Sequence, residues 1–300
     1  MPQSPQSLRI VAFNMFPPAY EGIAAWAASR GHRVVLLVTL PEGGEGRYGE
    51  NPNLASLVSP EQDVLVSKRM KTTVPTVVRA MEPDLILSAT FAKRIPPVVT
   101  EIPRYGALNF HFAPLPRGRG PNPQRVIYEG DTTTSVTLHR IVPEFDAGAI
   151  LSQPTRALPD AITPEIVLGI WLDMFNDALD EGIARAVAGE YGTPQDESRA
   201  TYAAVFTPDE KILSWDEPAL TIQRRATALN LVGPHSIAEI DGQLVTVQDV
   251  HAVPDSTKAV PGTVLERDGD TRIVRVADTA VQMTIVAATE PAHPEAVTLA

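Results

Sequence analysis

The chain contains no cysteine, which excludes disulfides, thiolate metal sites and a cysteine nucleophile. No G-x-x-x-x-G-K-[ST] occurs, and the first strand-like run is followed by Asn14-Met15-Phe16-Pro17-Pro18 rather than a glycine fingerprint. The P-loop and dinucleotide readings therefore lose their main support. No uninterrupted apolar run of about 18 residues is present, so no membrane-spanning helix is expected. The opening MPQSPQSLRI lacks a charged segment and a long apolar stretch, so no signal peptide is indicated and a soluble cytoplasmic protein is the expectation. Positive charge is scarce as well. A net −11 and a pI near 5.0 weigh against nucleic acid as a partner, because phosphate binding rests on an excess of Lys and Arg. Residues 201–300 carry seven basic against fourteen acidic side chains, a formal −7.

What the chain does have is proline, 28 of them in 300 residues, which favours many defined turns. It also has a succession of short apolar runs. Leu8–Asn14, a helical stretch Tyr20–Arg30 stopped by Gly31, and His32–Leu40 form a βαβ opening, which predicts a parallel sheet with a right-handed crossover. Val64–Ser67, Asp84–Ser88 and Ala107–His111 read as further strands, with helices at Thr72–Met81, Ile95–Glu101 and Asn122–Gly130. Ser135–Ile141 and Ile150–Thr155 read as a hairpin pair. Thr163-Pro164-Glu165 supplies an N-cap with proline at N1 for a long helix to Ala188. A Gly-rich connector, Pro41–Asn53, has no strand or helix pattern of its own.

The pattern changes after residue 189. The polar run 190–203 reads as an interdomain linker, which divides the chain into an α/β domain (1–189) and a β-rich domain (204–300). The second part holds one amphipathic helix, Pro218–Leu231, then short strands at Ser236–Ile240, Gln243–Val253, Gly262–Arg267, Thr271–Ala277 and Ala280–Val286. Asp241-Gly242 and Asp268-Gly269-Asp270 are strong hairpin signals. A small OB-like β-barrel is the expectation, beside a Rossmann-like, mostly parallel sheet.

Arg117, Arg119, Arg125 and Arg140 cluster within Gly106–Gly148, where the chemistry-bearing residues also concentrate. Period-2 alternation along Ala107–His111 puts Asn109 and His111 on one face, with Phe110 opposite. Open α/β sheets bind ligands outside the carboxyl ends of their strands, and the apolar run ends at this pair. An Asn amide can polarise a carbonyl or hold an oxyanion, and an imidazole can move a proton near neutrality. A carboxylate beside the imidazole, such as Asp146 in the turn after Phe145, would fix its tautomer. That combination suits acyl transfer to an amine. Each part has an ordinary explanation too: a polar strand end, turn chemistry at Asp146, solvated loop charges at Arg117 and Arg119, and a structural role for His139. The other histidines show no metal-ligand spacing, so no metal is expected.

Taken together, Asn109-Phe110-His111, Leu115-Pro116-Arg117-Gly118-Arg119-Gly120 and Asp146-Ala147-Gly148 resemble the N-x-H, L-P-x-x-R-G and D-x-G elements of the folate-dependent formyltransferases. Ile86–Ile95 is similar to that family's folate-facing turn, and Ile212-Leu213-Ser214-Trp215 with Pro261-Gly262-Thr263-Val264 to its two-domain members. The resemblance implies transfer from 10-formyltetrahydrofolate. In it Asn109 would orient the formyl group and stabilise the oxyanion, with His111 assisting. Asp146 would set the histidine's charge and accept the amine proton, directly or through water. Thr90, Phe91, Ala92 and Ile95, with Val142, Pro143, Glu144 and Phe145, would hold the pteridine. Arg117, Arg119 and Asn122 would stand at the acceptor's mouth. An acidic C-terminal domain is poor at holding tRNA, so a small-molecule amine such as an amino-sugar nucleotide or amino-acid-derived intermediate is preferred. The alternatives are methionyl-tRNA as acceptor and, lower, water, which would make a formyltetrahydrofolate hydrolase. Ala113 replaces the family's usual serine, and the loop Ala113–Pro123 departs most from its pattern.

Overall fold

The structure is a computed structural model that describes residues 7–41 and 54–286. The Pro41–Asn53 connector therefore lies, apart from Pro41, outside the described residues. Two compact units divide the chain: Met1–Pro159 with Glu165–Val205, and Asp160–Pro164 with Phe206–Ala300.

The first unit is built from β1 (Arg9–Asn14), α1 (Pro17–Ser29), β2 (Arg33–Thr39), α2 (Leu54–Leu57), β3 (Val64–Val66), α3 (Thr73–Ala80), β4 (Leu85–Ala89), α4 (Pro97–Thr100) and β5 (Ala107–His111). Then follow α5 (Arg125–Tyr128), β6 (Thr133–Ser135), β7 (Thr137–Arg140), β8 (Ile150–Ser152), β9 (Thr155–Ala157) and α6 (Pro164–Val187). Seven strands form one sheet in the order β3-β2-β1-β4-β5-β7-β8, while β6 and β9 pair separately. The first five are mutually parallel; β7 runs antiparallel to β5, and β8 to β7. The centre of the sheet is covered on both faces, which is why β1 and β4 are almost continuously apolar and buried.

The run Ser135–Ile141, expected as one strand, is shared between β6 and β7, with a break at Val136. Val136 N–H bonds Pro154 O instead of a ladder partner. The predicted helices at 95–101 and 122–130 shrink to single turns, Pro97–Thr100 and Arg125–Tyr128; Pro97 keeps the residue before it, Pro96, in extended backbone (φ −75°, ψ 158°).

One long helix fixes the part of the sheet that matters. Along α6, Val167, Trp171, Met174, Phe175, Ala178, Leu179, Gly182, Ile183 and Ala186 are buried, an i, i+3/i+4 stripe. Phe175 lies 4.0 Å (ring centroids) from Phe110, and Trp171 5.0 Å from Phe112. Gly182 lets the sheet come close, since a Cβ there would sit 2.6 Å from Leu138 Cδ2. Truncating a buried aromatic such as Phe175 costs about 3–5 kcal/mol. Packing of this size on Phe110 holds β5 so that Asn109 and His111 face the other way.

The second unit contains α7 (Ala219–Asn230), β10 (Ser236–Ile240), β11 (Gln243–Val253), β12 (Val264–Asp268), β13 (Thr271–Arg275) and β14 (Ala280–Val286). Its strands form a five-stranded, wholly antiparallel sheet, ordered β10-β11-β14-β13-β12. The core of α7 residues Ile222 and Ala226 with Val247, Val274, Val281 and Met283 is fully or nearly buried. Asp241 and Gly242 both take positive φ, 52° and 76°, the backbone a tight hairpin requires.

Candidate active site

Asn109 and His111 stand at the carboxyl end of β5. The β5–β7 ladder sets Asn109 directly opposite His139, so the strand pairing brings a second imidazole to the same face. The turn after β7 then carries Asp146 back over both. Its carboxylate lies 3.6 Å from His111 Nδ1 and 3.6 Å from His139 Nε2. Gly120 N–H donates to Asp146 Oδ2 (2.8 Å), and Asn109 Nδ2 to Oδ1 at a long 3.5 Å.

The hydrogen bonds assign both rings. His111 Nε2 is 2.7 Å from Gly118 O, so this nitrogen donates and Nδ1 is left facing Asp146. His139 Nδ1 donates to Arg140 O (2.9 Å), leaving Nε2 to accept from Asn109 Nδ2 (3.2 Å). Burial pushes the Asp146 carboxyl up. His111 and His139, with the Gly120 N–H, outweigh that effect and hold it well below the ordinary aspartate range. A carboxylate so held favours its ionised form.

Two cavities meet at these residues. The larger, about 360 Å³, is lined by Thr90, Phe91, Ala92, Asn109, Phe110, His111, Phe112, Gly120, Pro121, Pro123, Phe145, Asp146 and Tyr202. The smaller, about 80 Å³, is bounded by Ile95 and by Val142, Pro143, Glu144 and Phe145, with Lys93 and Arg94 at its edge. Phe91, Asn109, Phe145 and Asp146 belong to both. Thr90 and Asp146 each hold φ of 53°. For a β-branched threonine that is a true outlier, and side chains are kept in such backbone only where surrounding contacts over-determine it.

The three residues expected at the acceptor's mouth line neither cavity. Arg117 pairs with Asp131 (2.8 Å) and Glu129 (2.9 Å). Arg119 donates to Gln195 Oε1 (2.8 and 3.0 Å) and pairs with Glu197 at 2.7 Å. Asn122 is buried and donates to Ala204 O (3.0 Å). The physical reason is the same for all three: each polar group finds an internal partner nearer than the cavity. Arg117→Ala should therefore leave the KM of every substrate unchanged within about two-fold, and cost no more than about 1 kcal/mol of stability. Steady-state kinetics and denaturant titration check both.

Sequence reasoning preferred a structural role for His139, gave Gly120 no role beyond the loop motif, and passed over Gln195 and Tyr202. His139 was legible in principle, since the hairpin reading puts it opposite Asn109. Gln195 and Tyr202 lie in the run read as a linker, which instead bonds along the first unit. Thr193 exchanges two hydrogen bonds with Ile150, Arg119 N–H bonds Thr201 O, and Ala203 N–H bonds Arg119 O.

A mostly parallel sheet carries an Asn-His-Asp cluster at a strand end, and comparison with known proteins supplies the family. The chain matches the formyl transferase family over residues 10–163 and that family's C-terminal domain over 206–296. It belongs to the formyl transferase family. It is 33% identical over 193 residues to methionyl-tRNA formyltransferase of Methylococcus capsulatus, covering 62% of this chain and 61% of that protein. To the enzyme of the same name from Geobacillus thermodenitrificans it is 30% identical over 271 residues, covering 85% and 82%. In fold it is similar to HypX of Aquifex aeolicus, with TM-score 0.72 and 20% identity over 93% of this chain and 45% of that one. WlaRD, a sugar 3N-formyl transferase, aligns at TM-score 0.64 and 14% identity, over 95% of this chain and all of WlaRD. Among the described residues no helix is long and apolar enough to cross a membrane.

Proposed function

We propose that this protein transfers a formyl group from 10-formyltetrahydrofolate to the amino group of an acceptor, with Asn109, His111 and Asp146 as its catalytic residues. The observation that carries the reading is the convergence of these three side chains where two cavities join. The smaller cavity, walled by apolar Phe91, Ile95, Ile141, Val142 and Phe145 with polar groups at Asn109, Glu144 and Asp146, fits a flat heterocycle, and Thr90–Ala92 border the junction. The folate, when bound, supplies an activated formyl carbon.

The amine approaches from the larger cavity. His111 Nδ1 is the free ring nitrogen and takes the amine's proton, because Nε2 is committed to Gly118 O. The ionised Asp146, 3.6 Å away, stabilises the imidazolium so formed, which returns the proton to the leaving folate nitrogen as the donor's formyl carbon–nitrogen bond breaks. Asn109 holds its amide nitrogen between His139 and Asp146; the 3.5 Å contact to Asp146 is the weaker. That N–H is the one to turn toward a formyl oxygen as negative charge grows there.

For the acceptor, no Lys or Arg among the described residues lines the larger cavity, and Arg117 and Arg119 already pair with carboxylates. The part of the acceptor that enters is therefore an amine on an uncharged, partly apolar frame. The −7 charge of residues 201–300 disfavours a polyanion bound along them, so a small-molecule amine is preferred. The second reading, an aminoacyl-tRNA acceptor, is favoured by the relatives named methionyl-tRNA formyltransferase. Incubation with 10-formyltetrahydrofolate tests both. Consumption should require an amine, and amino-acid-derived and amino-sugar amines should outpace charged initiator tRNA. Equal consumption without any amine would mean hydrolysis, and faster formylation of charged tRNA would reverse the order of acceptors.

A further inference from the structure

Gln195 uses all of its side-chain hydrogen-bonding capacity on the site's framework. Its Nε2 donates to Asp146 O (2.7 Å) and to Gly148 O (2.8 Å). Its Oε1 accepts twice from Arg119, through Nε at 3.0 Å and Nη2 at 2.8 Å. An amide has two N–H groups and two lone pairs, so none is left over. The residue after Arg119 is Gly120, whose N–H holds the Asp146 carboxylate. The two ends of this bridge therefore grip Asp146 from opposite directions, one through its backbone and one through its side chain.

The bridge crosses a long gap in sequence. Arg119 belongs to the loop after β5 and Asp146 to the turn after β7, and among the described residues the side chain that bonds both comes from the run after α6. That run is itself anchored on either side of Gln195, at Thr193 against Ile150 and at Thr201–Ala203 against Gly118 and Arg119. Asp146 sits in left-handed backbone, φ 53°, which aspartate tolerates in turns better than most residues.

We infer that Gln195 is a positioning residue for the reaction: it fixes the Asp146 turn to the loop that carries Gly118 and Gly120, and so sets the carboxylate against His111. The inference deepens the proposed function and rests on Asp146 acting through His111. Arg119, in turn, orients Gln195 rather than meeting the acceptor.

The test uses three variants of the full chain. Gln195→Glu keeps the acceptor that Arg119 needs, removes both N–H donors and sets a carboxylate against two carbonyl oxygens. Gln195→Met removes donors and acceptor without adding charge. Glu197→Gln, at the exposed end of the Arg119 network, is the control. Both Gln195 variants should lower kcat by roughly 10- to 100-fold, since about 1 Å of misplacement costs up to two decades. The donor's KM should move far less. In ¹⁵N-histidine NMR spectra recorded at one fixed pH, the His111 ring signals should shift, because the carboxylate 3.6 Å from that ring has drifted away. Glu197→Gln should match wild type in both readouts. Unchanged kcat and unchanged His111 ring signals in either folded Gln195 variant would overturn the inference, as would an equal loss in Glu197→Gln. If the wild type transfers no formyl group while the His111 ring signals still shift, the proposed function fails and the positioning role stands.

Discussion

Asp146→Asn is expected to lower formyl transfer about 10³-fold, with the donor's KM changed by no more than a few-fold. Asparagine is the informative replacement because its shape preserves an oxygen for Gly120 N–H and removes the charge, with an NH2 in place of the oxygen that faces Asn109 and His139. The lost interaction is that between the carboxylate and an imidazolium 3.6 Å away, on the order of 4 kcal/mol for a pair in a partly buried setting. Each 1.4 kcal/mol is tenfold in rate, so three decades is the corresponding loss. An effect on kcat is expected because the imidazolium exists only as the amine gives up its proton; substrate binding precedes it. Retention of more than a tenth of the wild-type kcat would remove Asp146 from the mechanism.

The same variant carries a signature in acid. Burial raises the Asp146 carboxyl, but His111, His139 and the Gly120 N–H more than reverse this, so its folded-state pKa lies below its unfolded value. A group shifted in that direction stabilises the fold fully above its unfolded pKa, near 3.8. The contribution is lost as pH falls below that value toward the folded one. The stability gap between wild type and Asp146→Asn should be present at about pH 5 and close progressively below 3.8. Denaturant titrations at pH 7, 5 and 3 measure it.

Much of this site was legible before any coordinates, for identifiable reasons. The strand Ala107–His111 falls on the span predicted for it, because buried parallel strands are short apolar runs bounded by turns. Once that strand is set, alternation alone puts Asn109 and His111 together. The Asp241-Gly242 hairpin was legible because only a few residues tolerate its backbone. What stayed hidden depends on partners distant in the chain. Arg119 looks like a cation at a cavity mouth until Gln195 and Glu197, 76 and 78 residues later, are folded against it. The run 190–203 has the composition of a linker because it joins the first unit through backbone hydrogen bonds and two or three side chains, and backbone bonding leaves no hydrophobic period to read.

Gly148→Ala should be the most disruptive single-methyl change in the catalytic unit. A Cβ at this position would lie 1.8 Å from Arg140 O and 2.7 Å from Arg140 C. These are backbone atoms of β7, which is hydrogen-bonded to β5 on one side and β8 on the other, so the strand cannot retreat. The turn must move instead, by about 1.5 Å to reach an ordinary contact of 3.4 Å. Asp146 is two residues away and Gly148 O is one of the two acceptors of Gln195, so the displacement runs directly into the carboxylate's position. Overpacking of a rigid site costs about 3 kcal/mol, which for a unit of this size lowers Tm by roughly 6–12 °C. Transfer activity should fall by about 10²-fold or more even at temperatures where the protein stays folded. Gly169→Ala supplies the contrast: it lies on the exposed side of α6 with no atom within 4 Å of the added carbon. It should be neutral or stabilising by up to about 1 kcal/mol. Wild-type activity and Tm in Gly148→Ala would mean that the turn carrying Asp146 is compliant, and compliance there is incompatible with a carboxylate held in place for proton transfer.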